Sequence, residues 1–103
     1  MMDEERMVIT VFREGVEDCI DPNGCIRNEH FHDAGRIFLD IVEEELRAAF
    51  PGAEIRRGHG NGLRLIEVYD SYGEQDEETV WGRIEDRVAE RFCAELPLSW
   101  WRE

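Results

Sequence analysis

The strongest hydrophobic pattern in the chain lies between residues 28 and 50. Its apolar positions recur in steps of three and four, as on one face of an α-helix. These positions are Leu39, Val42, Leu46 and Ala49, with Phe38, Ile41 and Phe50 beside them. A Pro-Gly pair at residues 51–52 predicts the end of the helix. Its beginning has two solutions: Asn28 as N-cap would place Phe31 on the buried face, whereas Asp33 as N-cap would leave the nearby histidines in a loop.

A second helical pattern extends from Glu77 to Leu96, and Asp76 immediately before it predicts an N-cap. Pro97 predicts its end. The apolar stripe of this segment consists of Trp81, Ile84, Val88, Phe92 and Leu96. Both predicted helices therefore have one face to bury and one charged face to expose.

Three short segments have the composition of β-strands. Residues 7–12 are apolar at almost every position, which favours a central strand covered on both faces. Residues 53–58 are more polar, and residues 63–69 are again apolar. The glycine-rich stretch 58–62 between these two segments predicts an antiparallel hairpin. Residues 98–101 could add a short edge strand or pack back on the core.

The order β-α-β-β-α, with an optional last strand, favours a two-layer α+β fold of ferredoxin-like topology. In that topology the sheet is antiparallel, the first and third strands are central, the second is an edge, and both helices lie on one face. A two-layer α+β domain with another strand order remains an alternative. We expect one domain over residues 1–103, with a flexible tail at 1–6 and a long irregular loop at 13–30.

Charge divides the chain unevenly. Its 103 residues include 25 acids, 12 arginines and no lysine, which give a formal net charge of −13. The two helical segments, residues 28–50 and 74–96, have net charges of −4 and −5, whereas residues 51–73 are neutral. Two such helices on one side of a sheet would form a single negative surface. Its predicted partner-binding residues are Asp40, Glu43, Glu44, Glu78, Glu85 and Glu90.

This charge excludes some partners and favours others. Direct binding to nucleic acid requires cations against the phosphates, and binding to anionic membranes requires the same. A partner with a basic surface, either a protein or a nucleoprotein complex, fits better, because carboxylates can satisfy arginines and lysines that normally hold phosphates. Solubility or adaptation to salt would produce a similar composition. The arginines of the neutral segment, Arg56, Arg57 and Arg64, could pair with helix acids or form a second contact region.

Cellular location and self-association follow from two further patterns. No apolar run is long enough to span a bilayer, and the acidic N-terminus does not resemble a signal peptide. We therefore expect a cytoplasmic protein. Trp100 and Trp101 would mark a homodimer or partner surface if they were exposed, and they would close the core if they were buried.

A possible metal site combines Cys19, Cys25, His30 and His32, because zinc accepts thiolate and imidazole ligands in tetrahedral sets. The spacing differs from that of common structural zinc sites, in which two to four residues separate the cysteines and three to five separate the histidines. Free thiols and solvent-facing histidines are the alternative. Neither a spaced nucleophile and base nor an informative carboxylate pair is present, so we predict that the protein is not an enzyme and needs no cofactor.

In size, acidity and lack of a catalytic motif, the chain is similar in general character to phage-encoded inhibitors such as anti-CRISPR proteins and DNA mimics. That resemblance implies a small binding protein that docks on a basic nucleic-acid-binding protein and inhibits it, in the host cytoplasm. The alternatives are a zinc-stabilised regulatory or accessory domain, and a salt-adapted interaction domain.

Overall fold

The computed structural model describes residues 7–12, 25–58, 65–70, 73 and 75–101. This part of the chain has an α+β fold with a three-stranded sheet and two long helices. The strands are β1 (Met7–Phe12), β2 (Glu54–Gly58) and β3 (Ile66–Asp70), and the helices are α1 (Phe31–Ala49) and α2 (Glu77–Glu95). Short 3₁₀ turns precede α1 at Asn28–His30 and follow α2 at Leu98–Trp100. The predicted tail at 1–6, most of the predicted loop at 13–30 and the glycine-rich turn lie outside the described residues.

The sheet is mixed, with the strand order β2-β1-β3. β1 is parallel to β2 and antiparallel to β3, so that Ile9 lies opposite both Ile55 and Val68. The predicted hairpin between the second and third strands is wrong, because these strands lie on opposite sides of β1. The antiparallel sheet and the central position of β3 are wrong for the same reason, and the ferredoxin-like topology is not confirmed.

The physical cause is the crossover through α1. A helix between two strands allows the second strand to return parallel to the first, and β2 does so. The central β1 and the polar edge β2 agree with their sequences. The apolar character of β3 reflects its helix-facing side, where Ile66 is buried and Val68 is half-buried, and not a central position.

Side chains alternate across β1 and divide the sheet into two faces. Ile9 and Val11 are fully buried in one core cluster with residues of both helices and with Ile66. The helices therefore cover this face. Thr10 and Phe12 point to the opposite face, where β2 approaches so closely that a Cβ at Gly58 would lie 2.7 Å from the Thr10 methyl carbon. Glycine is required there because any larger residue would meet Thr10 and the Phe12 ring.

The α1 helix begins differently from either prediction. Its N-cap position is His30, which makes no capping hydrogen bond with its side chain, so Asn28 and Asp33 are both wrong as caps of this helix. The preceding 3₁₀ turn replaces the cap: the His30 N–H donates to the Arg27 carbonyl at 3.0 Å. The predicted apolar stripe is confirmed, with six positions of α1 at most 4% exposed. These are Ala34, Phe38, Leu39, Ile41, Val42 and Leu46.

The α2 helix matches its prediction closely. The Asp76 carboxylate accepts a hydrogen bond from the Thr79 N–H at 2.8 Å, which confirms the N-cap. Ile84, Val88 and Phe92 are buried as predicted, Trp81 is half-buried, and Leu96 is buried just beyond the helix. Neither helix combines enough length with enough apolar character to cross a membrane.

We expect Asp76→Ala to lower the midpoint of thermal unfolding at neutral pH, because the Thr79 N–H loses its acceptor. The hydrogen bonds from Thr79 hold the pKa of Asp76 below its ordinary value. The contribution of a carboxylate with a lowered pKa is complete above its unfolded-state pKa of about 3.9 and is lost as the pH falls through the folded-state value. The difference between wild type and Asp76→Ala should therefore shrink in strong acid.

The matched control is Asp76→Asn, which keeps a side-chain oxygen acceptor that does not titrate. Its advantage over Asp76→Ala should not depend on pH in thermal unfolding followed by circular dichroism. A wild-type advantage over Asp76→Ala that is equally large on both sides of the carboxylate titration would contradict the assignment.

The C-terminal tryptophans pack against the core and do not form an edge strand. Trp101 makes an isolated bridge to Ile26, and the Arg27 N–H donates to the Trp100 carbonyl at 2.8 Å. The Trp100 ring stacks on His30 with a centroid separation of 4.7 Å, and both tryptophans are half-buried. The end of the described chain is thus tied to the segment that leads into α1.

Candidate protein-binding surface

The acids of α1 are held by arginines from β2. The Arg57 guanidinium donates to the Asp40 carboxylate at 2.8 Å and also to Glu43, whose second oxygen lies 3.6 Å from Arg47. The hydrogen bond to Glu43 is the main cause that raises the pKa of Arg57 above its ordinary value. The side chain of Glu43 is only 13% exposed. Asp40 and Glu43 therefore serve the contact between α1 and β2.

Arginines of α2 neutralise the remaining acids near the end of α1. Arg91 donates to Glu44 at 2.8 Å, to Glu45 at 3.1 Å and to Glu95 at 3.0 Å. Arg87 donates to the other oxygen of Glu45, also at 3.1 Å. The hydrogen bonds from Arg91 to Glu44, Glu45 and Glu95 raise the pKa of the guanidinium above its ordinary value. This network joins the two helices and leaves Glu45 as a buried carboxylate with two cations.

We expect Glu45→Gln to lower the free energy of unfolding by about 1 kcal/mol, because the buried carboxylate is lost while both arginines can still turn toward water. Glu44→Gln is the matched control, since Glu44 is exposed and has one arginine partner. Its effect should stay below about 0.5 kcal/mol. Urea unfolding of both variants measures the difference. Equal effects of the two substitutions would show that burial of Glu45 adds nothing.

The outer surface of α2 presents the opposite situation. Four of its acids are exposed, and none has an arginine or histidine nitrogen within 4.0 Å in the described part of the chain. We call this set the α2 acidic face; its members are Glu78, Glu85, Asp86 and Glu90. The face extends over twelve residue steps, or about 18 Å of helix. Gly82 and Ala89, both exposed, lie between the carboxylates and leave them accessible.

Two members of the α2 acidic face repel each other. Asp86 and Glu90 are four residues apart, so their carboxylates are neighbours on the helix surface. Like charges at this spacing destabilise a helix by a few tenths of a kcal/mol. The described residues supply no cation to compensate, although arginines are used freely elsewhere in the same helix.

The structure thus separates the six residues that the sequence predicted as one surface. Glu78, Glu85 and Glu90 lie together on the exposed side of α2, whereas Asp40, Glu43 and Glu44 are tied into ion pairs with other elements. Asp86 was not predicted, although its spacing from Glu90 and its place outside the apolar stripe could have identified it. In the neutral segment, Arg56 pairs with Glu54 at 2.6 Å, and Arg57 pairs with helix acids as one of the two predictions stated. Arg64 lies outside the described residues.

The predicted metal ligands fall in the segment before α1. Cys25 is exposed, the half-buried His30 ring stacks on Trp100, and His32 is exposed on the first turn of α1. Cys19 lies outside the described residues. The described residues contain no group of three or more candidate ligands that could hold a metal ion. The zinc site stays a prediction.

Comparisons with models of known protein families, with curated proteins and with solved structures find no match.

Proposed function

We propose that the chain is a small non-enzymatic binding protein whose α2 acidic face docks on a basic, nucleic-acid-binding protein or complex and inhibits it. This is the mode of action of DNA mimics and of anti-CRISPR proteins encoded by phages. The observation that carries the proposal is the contrast between the two helices: acids of α1 are neutralised within the chain, whereas four exposed acids of α2 are not.

A cationic partner would supply what the α2 acidic face lacks. Carboxylates accept strong charge-assisted hydrogen bonds, which are frequently bidentate when the donor is arginine. An arginine or lysine placed between Asp86 and Glu90 would replace their repulsion with two attractive pairs. The face therefore gains more from a basic partner than the paired acids of α1, which would first have to release Arg57 or Arg91.

The inhibitory part of the proposal rests on charge density. Four carboxylates along about 18 Å of helix correspond to one negative charge per 4–5 Å, compared with about 3.4 Å per strand in duplex DNA. A groove lined with cations for a phosphate backbone would thus find a comparable row of anions on α2. Occupation of that groove would exclude the nucleic acid.

A pull-down from a host-type lysate with the tagged full chain tests the proposal. We expect it to retain a basic nucleic-acid-binding protein at low ionic strength and to release it at high ionic strength, because salt screens exposed charges. Nuclease treatment of the lysate controls for capture through bridging nucleic acid. Partners that are not basic, or retention that salt does not change, would contradict the proposal.

A further inference from the structure

The two edges of the sheet differ in charge. Among the described residues, β2 and β3 each pair only with β1, so half of the backbone N–H and C=O groups of each edge strand face away from the sheet. β2 contains Glu54, Arg56 and Arg57 and has a net charge of +1. β3 contains Glu67 and Asp70 and has a net charge of −2.

Charge selects β2 as the place where two copies of the chain can approach. Each copy carries −13, so two copies repel each other over most of their surfaces. An approach through β3 would add acids to acids, whereas β2 is a strand with a net positive charge. The side chains of Glu54 and Arg56 lie on the face of the sheet that the helices do not cover, and they are 39% and 54% exposed.

The sequence of β2 matches itself in one antiparallel register. Directly opposed residues of an antiparallel pair lie on the same face, so a two-fold axis perpendicular to the sheet must pass beside one residue of β2. With the axis at Ile55, Glu54 opposes Arg56 of the second copy, and Arg56 opposes Glu54. An axis at Glu54 or at Arg56 would instead oppose two identical charges, which is destabilising.

The other face of the sheet fits the same register. Ile55 would meet Ile55 of the second copy next to the two cores, and β-branched residues pair favourably across strands. Ile55 is half-buried in the single chain, so this pairing would cover apolar surface that is exposed at the edge. Arg57, which is held by Asp40 and Glu43, would oppose the small Ala53 and would not meet another arginine.

We propose that β2 pairs with β2 of a second copy about a two-fold axis at Ile55, which joins the two sheets into one of six strands. The occupant of this edge is therefore the chain itself. The pairing uses no residue of the α2 acidic face, so it can be tested independently of the proposed function.

Charge exchange in β2 tests the register. Glu54→Arg and Arg56→Glu each place like charges opposite each other across the axis, and each should raise the dimer dissociation constant about tenfold or more. The double variant exchanges the two charges and restores the opposition, so its dissociation constant should return to within about threefold of wild type. Sedimentation velocity over a concentration series measures the constants, and circular dichroism confirms that each variant is folded.

Crosslinking at the axis tests the geometry. In a background with Cys19, Cys25 and Cys93 changed to serine, Ile55→Cys places two thiols directly opposite each other, within the Cα separation of about 4.4–6.8 Å that a disulfide accepts. Arg56→Cys is the control, because its two copies would be about 7–8 Å apart. We expect rapid oxidation to a covalent dimer for Ile55→Cys only. A wild-type chain that stays monomeric at every attainable concentration, or equal crosslinking of both variants, would overturn the proposal.

Discussion

Replacing Phe38 by alanine is expected to lower the free energy of unfolding by about 3–5 kcal/mol, the largest effect on stability that we predict for a single substitution. Phe38 is 4% exposed and lies where α1 meets α2. Its ring meets the edge of Phe92 at a centroid separation of 5.2 Å and lies 6.5 Å from Trp81. Removing the ring leaves a cavity between the helices and also takes away the aromatic contact.

The size of this effect matters because small domains are marginally stable, with free energies of unfolding of about 5–15 kcal/mol. Urea unfolding followed by circular dichroism measures the loss. Phe38→Leu should cost about 1–2 kcal/mol, because most of the volume remains. Leu98→Ala is the surface control: Leu98 is 88% exposed and should change stability by less than about 0.5 kcal/mol. A loss for Phe38→Ala no larger than that of the control would show that this packing is wrong.

Reversing three charges of the α2 acidic face is expected to weaken binding to the basic partner by about 100-fold or more. The variant combines Glu85→Arg, Asp86→Arg and Glu90→Arg. Each change removes an acceptor for a partner cation and adds a repulsive charge, and close charge pairs at protein interfaces couple by about 1.5 kcal/mol or more. Titration calorimetry or surface plasmon resonance with the purified partner measures the loss.

The matched control carries Asp3→Arg, Glu4→Arg and Glu5→Arg. Both triple variants change the net charge from −13 to −7, because each reversal adds two charges. If long-range attraction by the whole chain explained binding, the two variants would lose affinity equally. If the α2 acidic face makes the contacts, the control should keep most of its affinity.

Stability should respond to the two helices in the opposite sense. Asp40→Arg with Glu44→Arg places new cations beside Arg57 and Arg91, so the urea midpoint should fall. Asp86→Arg alone should raise it slightly, because the repulsion with Glu90 becomes an i,i+4 attraction. A fall in stability for Asp86→Arg would indicate that an internal cation already satisfies this carboxylate.

Local patterns predicted the elements of the fold well. The bounds of α2, its Asp76 cap and the buried stripes of both helices follow from residues within one or two turns of each other. β1 also behaved as its uniformly apolar sequence predicts. The beginning of α1 was not predicted, because a 3₁₀ turn did the work of a side-chain cap.

Strand order was not predictable from the same patterns. The alternation in residues 66–70 shows that one side of the strand faces a core, but it does not show which strand lies next to it. A helix between β1 and β2 is compatible with several strand orders. The glycine-rich stretch suggested a hairpin, yet β2 and β3 pair with β1 from opposite sides.

The candidate surface was only partly predictable for a related reason. The ion pairs that neutralise α1 join residues far apart in the sequence: Glu43 and Arg57 are 14 residues apart, and Glu45 and Arg91 are 46 apart. Segment charges therefore gave equal weight to both helices. Only the folded arrangement shows that arginines from β2 and α2 converge on α1 and leave the acids of α2 exposed.

Competition with nucleic acid tests the central claim most directly. The affinity of the chain for its purified partner is measured with and without a nucleic acid that the partner binds, at fixed ionic strength. If α2 occupies the phosphate-binding groove, the apparent Kd should rise in proportion to the concentration of nucleic acid, without a plateau, and the chain should displace the nucleic acid in return. An unchanged Kd at saturating nucleic acid, with both molecules bound at once, would contradict the claim.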